Sequence, residues 1–190
     1  MTRPDRPERD LSPRTRLVQE GTDRSPHGEL SEALYLTQGF AYASAESAAA
    51  RFEGQEDGFI YARYGNPTVA MFEKRIAALA GAEDAFATAS GMAAVHAALM
   101  CQLKAGDHVV SARALFGSCL YIVETLLPRF GVDITLVDGP DLGAWRAAMR
   151  PETKLCFLES PANPTLELID IEGVAKIAHE AGARLVVDNV

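Results

Sequence analysis

The groups in this sequence best placed to do chemistry are carboxylates and small polar residues that stand where apolar runs stop. In "ARLVVDNV" a run of apolar, β-branched residues leads to Asp188. Buried parallel strands read like this, and in open α/β sheets ligands bind just past the carboxyl ends of the strands. "FLESPANP" repeats the pattern, with Glu159 and Ser160 at a strand end and then a proline-stiffened loop holding Asn163. "ASGMAA" sets Ser90 and Gly91 at a strand-to-helix turn. Free backbone N–H groups at the positive end of a helix suit a phosphate. Each feature also has a plain structural explanation. A glycine can serve the turn alone, and a strand-end carboxylate is often only a helix cap or an ion-pair partner. Three such features on one edge of one sheet point instead to a ligand site.

Other chemistries lose their support quickly. No GxGxxG follows a strand and no GxxxxGK[ST] occurs, which removes the main signals for dinucleotide and P-loop sites. His27, His96, His108 and His179 make no HExxH or other ligand spacing, so no metal site is expected; His96 and His179 read as structural or solvated. Cys101, Cys119 and Cys156 share no CxxC spacing and sit among apolar neighbours, as reduced core thiols of a cytoplasmic protein do. The 190 residues are 48% hydrophobic and 23% charged, an ordinary globular balance. A formal charge of −8 argues against nucleic acid or an anionic membrane as partner. No apolar run approaches the length of a membrane helix. The opening "MTRPDRPERDLSPRTR" has no apolar h-region, and its acidic residues count against a transit peptide; it reads as a disordered, proline-broken arm.

The elements that must position the polar groups alternate from about residue 60. "NPTVAMFEKRIAALAG" has Asn66 as N-cap, Pro67 at the first helical position and Gly81 as a stop. Val69, Phe72, Ile76 and Leu79 recur at helical spacing, which predicts one buried face. "DAFATAS" is expected as a short strand, followed by the helix "GMAAVHAALMCQL". Strands are then expected at "DHVVSA", "VDITLVD", "KLCFLES" and "ARLVVD". The helices between them are "GSCLYIVETLLPRF", "DLGAWRAAM" capped by Asp141, and "DIEGVAKIAHEAG" capped by Asp170. This succession gives βαβ units and an α/β fold, a mostly parallel sheet with helices on both faces.

Four ordered segments, "YARYGNPT", "ASGMAA", "LESPANPTLELIDI" and "VVDN", resemble the Cys/Met-metabolism family of pyridoxal 5′-phosphate (PLP) enzymes. That family includes cystathionine γ-synthase, cystathionine lyases, methionine γ-lyase and the homoserine-ester sulfhydrylases. The resemblance runs from about Thr15 to Val190, and "TRLVQEGTDRSPHGELSEALYLTQGFAYASAESAAARF" is most like the sulfhydrylases acting on O-succinylhomoserine. It implies the fold-type-I architecture of PLP-dependent transferases, and PLP as cofactor. Tyr61 and Arg63, by themselves a common surface pair, match the Tyr-x-Arg that reaches a neighbouring subunit's PLP phosphate. Arginine suits this because its planar fork binds phosphate bidentately and stays charged. Ser90, Gly91 and Met92 match the phosphate cradle. Asn163 matches the residue facing the cofactor's phenolic oxygen, and Asp188 the carboxylate that keeps the pyridine nitrogen protonated.

Two departures from the family pattern stand out. Phe116, in "RALFGSC", occupies the place where many members stack a tyrosine on the PLP ring. Phenylalanine can stack but carries no hydroxyl to donate a proton, which favours a carboxylate leaving group over a thiolate; it can equally be a packing substitute. The Schiff-base lysine of the family lies in a Ser-x-Thr-Lys segment beyond the Asp-Asn strand, and so beyond Val190. Lys74, Lys104, Lys154 and Lys176 read as solvated surface lysines, so no catalytic residue is assigned within the chain. The expectation is a truncated chain: an N-terminal arm over 1–60, partly disordered and reaching a neighbouring subunit, then 61–190 as the first part of the PLP-binding domain, with the C-terminal domain absent. The implied reaction of the complete protein is γ-replacement, in which O-succinylhomoserine or O-acetylhomoserine reacts with sulfide to give homocysteine in methionine biosynthesis. The alternatives are a cystathionine γ-synthase, a γ-lyase or a non-catalytic truncated product. A homo-oligomer is implied, at least a dimer and a tetramer when complete.

Overall fold

The computed structural model describes residues 11–190, so the first ten residues of the expected disordered arm lie outside it. Contacts divide the chain into two units that meet at residues 87 and 88.

The first unit is helical. Helix α1 (Pro13–Gln19) starts where disorder is expected, because Ser12 accepts the Thr15 N–H and Pro13 occupies the first turn, where no N–H is needed. Helix α2 (Ala45–Phe52) is capped by Ser44, and α3 (Pro67–Ala80) by Asn66, with Gly81 left-handed at its end. The N-cap, proline and glycine of α3 stand as the sequence implies, but its burial does not. Met71 and Ala77 are buried, whereas Val69, Phe72 and Ile76 are 41%, 55% and 41% exposed. The inward side of α3 faces the α1 segment, where Arg75 donates to the Glu20 carbonyl and pairs with Glu32. Gly21 bends back here at φ +71, and a Cβ on it would lie 2.7 Å from the Met71 carbonyl oxygen. Periodicity shows which face is apolar, not what covers it. The expected strand "DAFATAS" also forms no ladder: the Ala87 N–H is taken by the Glu73 carboxylate instead, and Phe86 is 86% exposed.

The second unit carries the sheet. Strands β1 (His108–Ala112), β2 (Asp133–Val137), β3 (Thr153–Glu159) and β4 (Arg184–Asp188) are all parallel, in the order β2-β1-β3-β4. Successive side chains alternate between the two faces. Val109, Leu155 and Phe157 join one core with Leu99, Cys119, Val123 and Leu127. These come from α4 (Gly91–Met100), α5 (Gly117–Tyr121) and α6 (Leu127–Arg129) with the turn between them. Val110, Cys156 and Leu158 join the other core with Trp145 and Val174, from α7 (Leu142–Ala148) and α8 (Ile171–Glu180). The expected helix over "GSCLYIVETLLPRF" is present but widened to a π turn at Ile122–Leu126, where the Leu127 N–H reaches back to the Ile122 carbonyl. Pro128 has no N–H for the carbonyl four residues before it, and a proline ring disfavours a regular α turn there. Asp141 and Asp170 cap α7 and α8 as expected.

The connection after β1 leaves over the Cys119 face, and that after β3 leaves over the Val174 face. Adjacent strands whose connections part in this way open a crevice at their carboxyl ends. Glu159 ends β3 at this edge, and Asp188 ends β4 beside it.

His108 begins β1, and the sequence gives it no role. It is buried, with Nδ1 2.8 Å from Thr153 Oγ1 and Nε2 2.8 Å from Thr135 Oγ1, so it ties β1 to both neighbours. Desolvation and the nearby Arg150 hold its pKa below the ordinary histidine value. The neutral form is therefore favoured in the fold, while the unfolded chain takes up a proton near pH 6.5. This contribution is intact above that pH and is lost as the pH falls through the folded pKa. In urea titrations the wild type is expected to lose more stability between pH 7.5 and 5 than His108→Gln, and equal slopes would refute this role.

Candidate functional site

A cavity of about 570 Å³ opens at the carboxyl ends of β3 and β4. Its polar wall begins with Ser90, Gly91 and Met92 at the start of α4. Ser90 caps the helix by accepting the Ala93 N–H at 3.2 Å. The first N–H groups of a helix have no intrahelical acceptor, and the helix dipole adds positive potential beside them. A Cβ built on Gly91 would meet no atom of the chain within 4 Å. Internal packing therefore does not demand glycine, and its bare backbone lets a ligand approach closely.

The strand ends make an acidic wall. Asp188 ends β4 in register with Glu159 at the end of β3, so the two carboxylates sit on neighbouring strands at the same level. Their partners differ. Glu159 is buried and accepts the Phe116 N–H at 2.5 Å and the Asn163 N–H at 3.1 Å. Asp188 is half-buried, and Cys119 donates its S–H to Oδ2 across 3.5 Å. Burial first, then this hydrogen bond and the Asp188 and Glu159 charges, push the Cys119 thiol up to about 12. The thiol stays protonated and acts as a donor only. Among the described residues no basic side chain forms an ion pair with either carboxylate. Met92, Val95, Phe116, Phe157 and Val187 line the cavity with apolar surface.

The structure thus gathers Ser90, Gly91, Met92, Phe116, Asn163 and Asp188 around one space. Tyr61 and Arg63 belong to the first unit. There the Arg63 guanidinium lies 4.8 Å from the Tyr61 ring centre and 5.3 Å from that of Tyr64. The tyrosine hydroxyl reaches Gln38 at 3.4 Å. The lysines at 74, 104, 154 and 176 are exposed, as expected. Cys156 is a core thiol, but Cys101 is exposed at the end of α4, where the helix turns its last residue outward. Cys119 is more than core packing, since it touches the site carboxylate. No sequence signal marks that contact, because the partner Asp188 lies 69 residues away. No group of metal-ligating side chains occurs among the described residues.

The space offers an anion site at the start of α4, an acceptor for a charged N–H at Asp188, and apolar walls that suit a flat ring. This donor set fits PLP, which carries a phosphate, an aromatic ring and a basic ring nitrogen.

Comparison with known proteins agrees. Residues 14–190 match the model of the Cys/Met metabolism PLP-dependent enzymes. O-succinylhomoserine sulfhydrylase of Mycobacterium tuberculosis is 50% identical over 173 residues, covering 91% of this chain and 43% of that protein. L-methionine gamma-lyase of Porphyromonas gingivalis is 42% identical, covering 92% and 44%. A Campylobacter jejuni structure containing a pyridoxyl-lysine monophosphate superposes with a TM-score of 0.91 at 29% identity, over 95% of this chain and 45% of that one. The chain spans less than half the length of these relatives.

The thiols provide a direct check of the acidic wall. With iodoacetamide at pH 8, peptide mapping should find Cys101 alkylated first, and the buried Cys119 and Cys156 far more slowly. Asp188→Asn removes a charge that holds the Cys119 thiol up. Cys119 should then alkylate faster while Cys156 does not; an unchanged Cys119 rate would deny the contact.

Proposed function

The chain belongs to the Cys/Met-metabolism family of PLP-dependent enzymes, and we propose that the complete protein exchanges the acyl group of an O-acylhomoserine for sulfide, yielding homocysteine. O-succinylhomoserine is the first choice of substrate and O-acetylhomoserine the second. The likeness to a sulfhydrylase at 50% identity carries this reading. The methionine γ-lyase likeness at 42% supports a γ-lyase as the second reading.

PLP, when bound, supplies an electron sink for charge that develops on the substrate's Cα. Gly91 and Met92 would offer backbone N–H groups to the phosphate, with Ser90 fixing the helix start. Asp188 would hold the ring nitrogen protonated. One thiol donor leaves most of its acceptor capacity open, since a carboxylate has about four lone-pair sites. Asn163 would face the phenolic oxygen, and Phe116 would stack on the ring and exclude water. Tyr61 and Arg63 would serve the phosphate of a neighbouring subunit, which makes the working enzyme at least a dimer and, in our reading, a cytoplasmic homotetramer. In this reading the segment up to residue 60 reaches that neighbour, residues 61–190 begin the PLP domain, and the Schiff-base lysine lies beyond Val190.

Phe116 bears on the choice between esters and thioethers. Succinate leaves as a carboxylate of pKa about 4.3 and needs little acid help, whereas a thiolate near about 8.5 gains more from a proton donor. Phenylalanine supplies none. In the full-length protein Phe116→Tyr should keep ester turnover with sulfide within about threefold and raise elimination from thioethers. A specific collapse of ester turnover with cofactor retained would overturn the argument. If the wild type forms α-keto acid from methionine and no homocysteine from either ester, the γ-lyase reading replaces ours.

Arg63 gives a second test. Arg63→Ala mixed with a variant lacking the Schiff-base lysine should regain activity in hybrid oligomers, because both defects collect in one site and leave another whole. Hybrids without recovered activity would exclude the cross-subunit role.

A further inference from the structure

We propose that Glu159 is a positioning residue whose two carboxylate oxygens clamp the loops carrying Phe116 and Asn163, and so fix the width of the cavity where the cofactor ring would lie. The functional half of this inference rests on the reading of the cavity as a PLP site.

Glu159 is the last residue of β3 and only 4% exposed. A buried carboxylate is costly unless each oxygen finds a donor. Among the described residues it has no cationic partner. Its donors are two backbone N–H groups from different connections. Phe116, which precedes α5 after β1, donates to Oε2, and Asn163, in the loop after β3, donates to Oε1 at 3.1 Å. These connections leave the sheet over opposite faces, so without a common anchor nothing in the ladder sets their spacing. Phe116 stands at the N-cap of α5 with no side-chain cap bond, which makes the Glu159 carboxylate its local tie. The residue type follows from the geometry. Glutamine has one acceptor oxygen, so its amide NH₂ would face one of the two N–H donors. Aspartate keeps the charge but is one methylene shorter. Asp188, at the same register, accepts no backbone N–H through its side chain among the described residues and stays available to a ligand.

The test uses the full-length protein and Glu159→Gln, which keeps the shape. Hydrogen exchange resolved to single amides should show Phe116 and Asn163 exchanging about tenfold faster or more, the effect of losing a charge-assisted hydrogen bond. The amides of β3 should stay within about twofold of wild type, because the ladder is untouched. PLP affinity, read from ring absorbance during dialysis, should fall by about tenfold, with kcat at saturating PLP falling less. Should Glu159→Gln fail to fold, Glu159→Asp decides the matter, since retained charge without reach predicts the same two amides released. Unchanged exchange at Phe116 and Asn163 overturns the clamp. Faster exchange with PLP affinity unchanged overturns the positioning role, and a large fall in kcat with exchange unchanged makes Glu159 catalytic instead. Should the wild type bind no PLP, the proposed function fails, while the exchange pattern still decides whether Glu159 clamps the loops.

Discussion

Two parallel strands ending on carboxylates at one register level, Glu159 beside Asp188, are the constraint around which the rest of this structure is arranged. Like charges at neighbouring strand ends repel, and burial makes each costlier. The fold meets this by giving the two residues different partners. Glu159 is turned inward onto backbone N–H donors that strand ends and loop starts would otherwise leave open. Asp188 is left half in the cavity with a weak thiol donor. The sheet supplies the first carboxylate with everything it needs and the second with almost nothing.

That arrangement depends on the sheet being parallel and covered on both faces. Side chains alternate along β1 and β3 between two separate cores, one under α4 to α6 and one under α7 and α8. With both faces covered, the cavity opens at the strand ends, where connections depart in opposite directions. Helix α4 then aims its start at the same edge from the other side, with Gly91 withholding a side chain that no protein atom would have obstructed. Positive potential and negative charge thus come to one cavity from elements distant in sequence.

What was legible in the sequence was local chemistry. Asn66, Asp141 and Asp170 cap the helices they announce, and four strands stand where apolar runs predicted them. A cap or a run is decided within a few residues, so one stretch of sequence contains the whole cause. The failures have one source as well. The apolar stripe Val69, Phe72 and Ile76 is real but stays exposed, and "DAFATAS" has β character but no ladder partner among the described residues. Cover and pairing are properties of a second element, which periodicity in the first cannot supply. The same limit hid His108, whose two threonine partners lie on different strands, and the cross-loop bonds of Glu159.

Cys119 shows how a small choice at a non-local contact keeps a site open. A lysine or arginine at this position would form an ion pair with Asp188 and occupy the charge that a protonated ring nitrogen needs. A leucine would leave the inner oxygen with no donor at all. A thiol lies between these extremes. It fits the core among Leu115, Ile122 and Phe157. Its proton is held so firmly, with a pKa near 12, that it can only donate. The contact orients the carboxylate without neutralising it. Asp188 is consequently the one carboxylate of the pair that a cationic group entering the cavity can still engage, and the apolar walls strengthen that attraction by keeping water away from it.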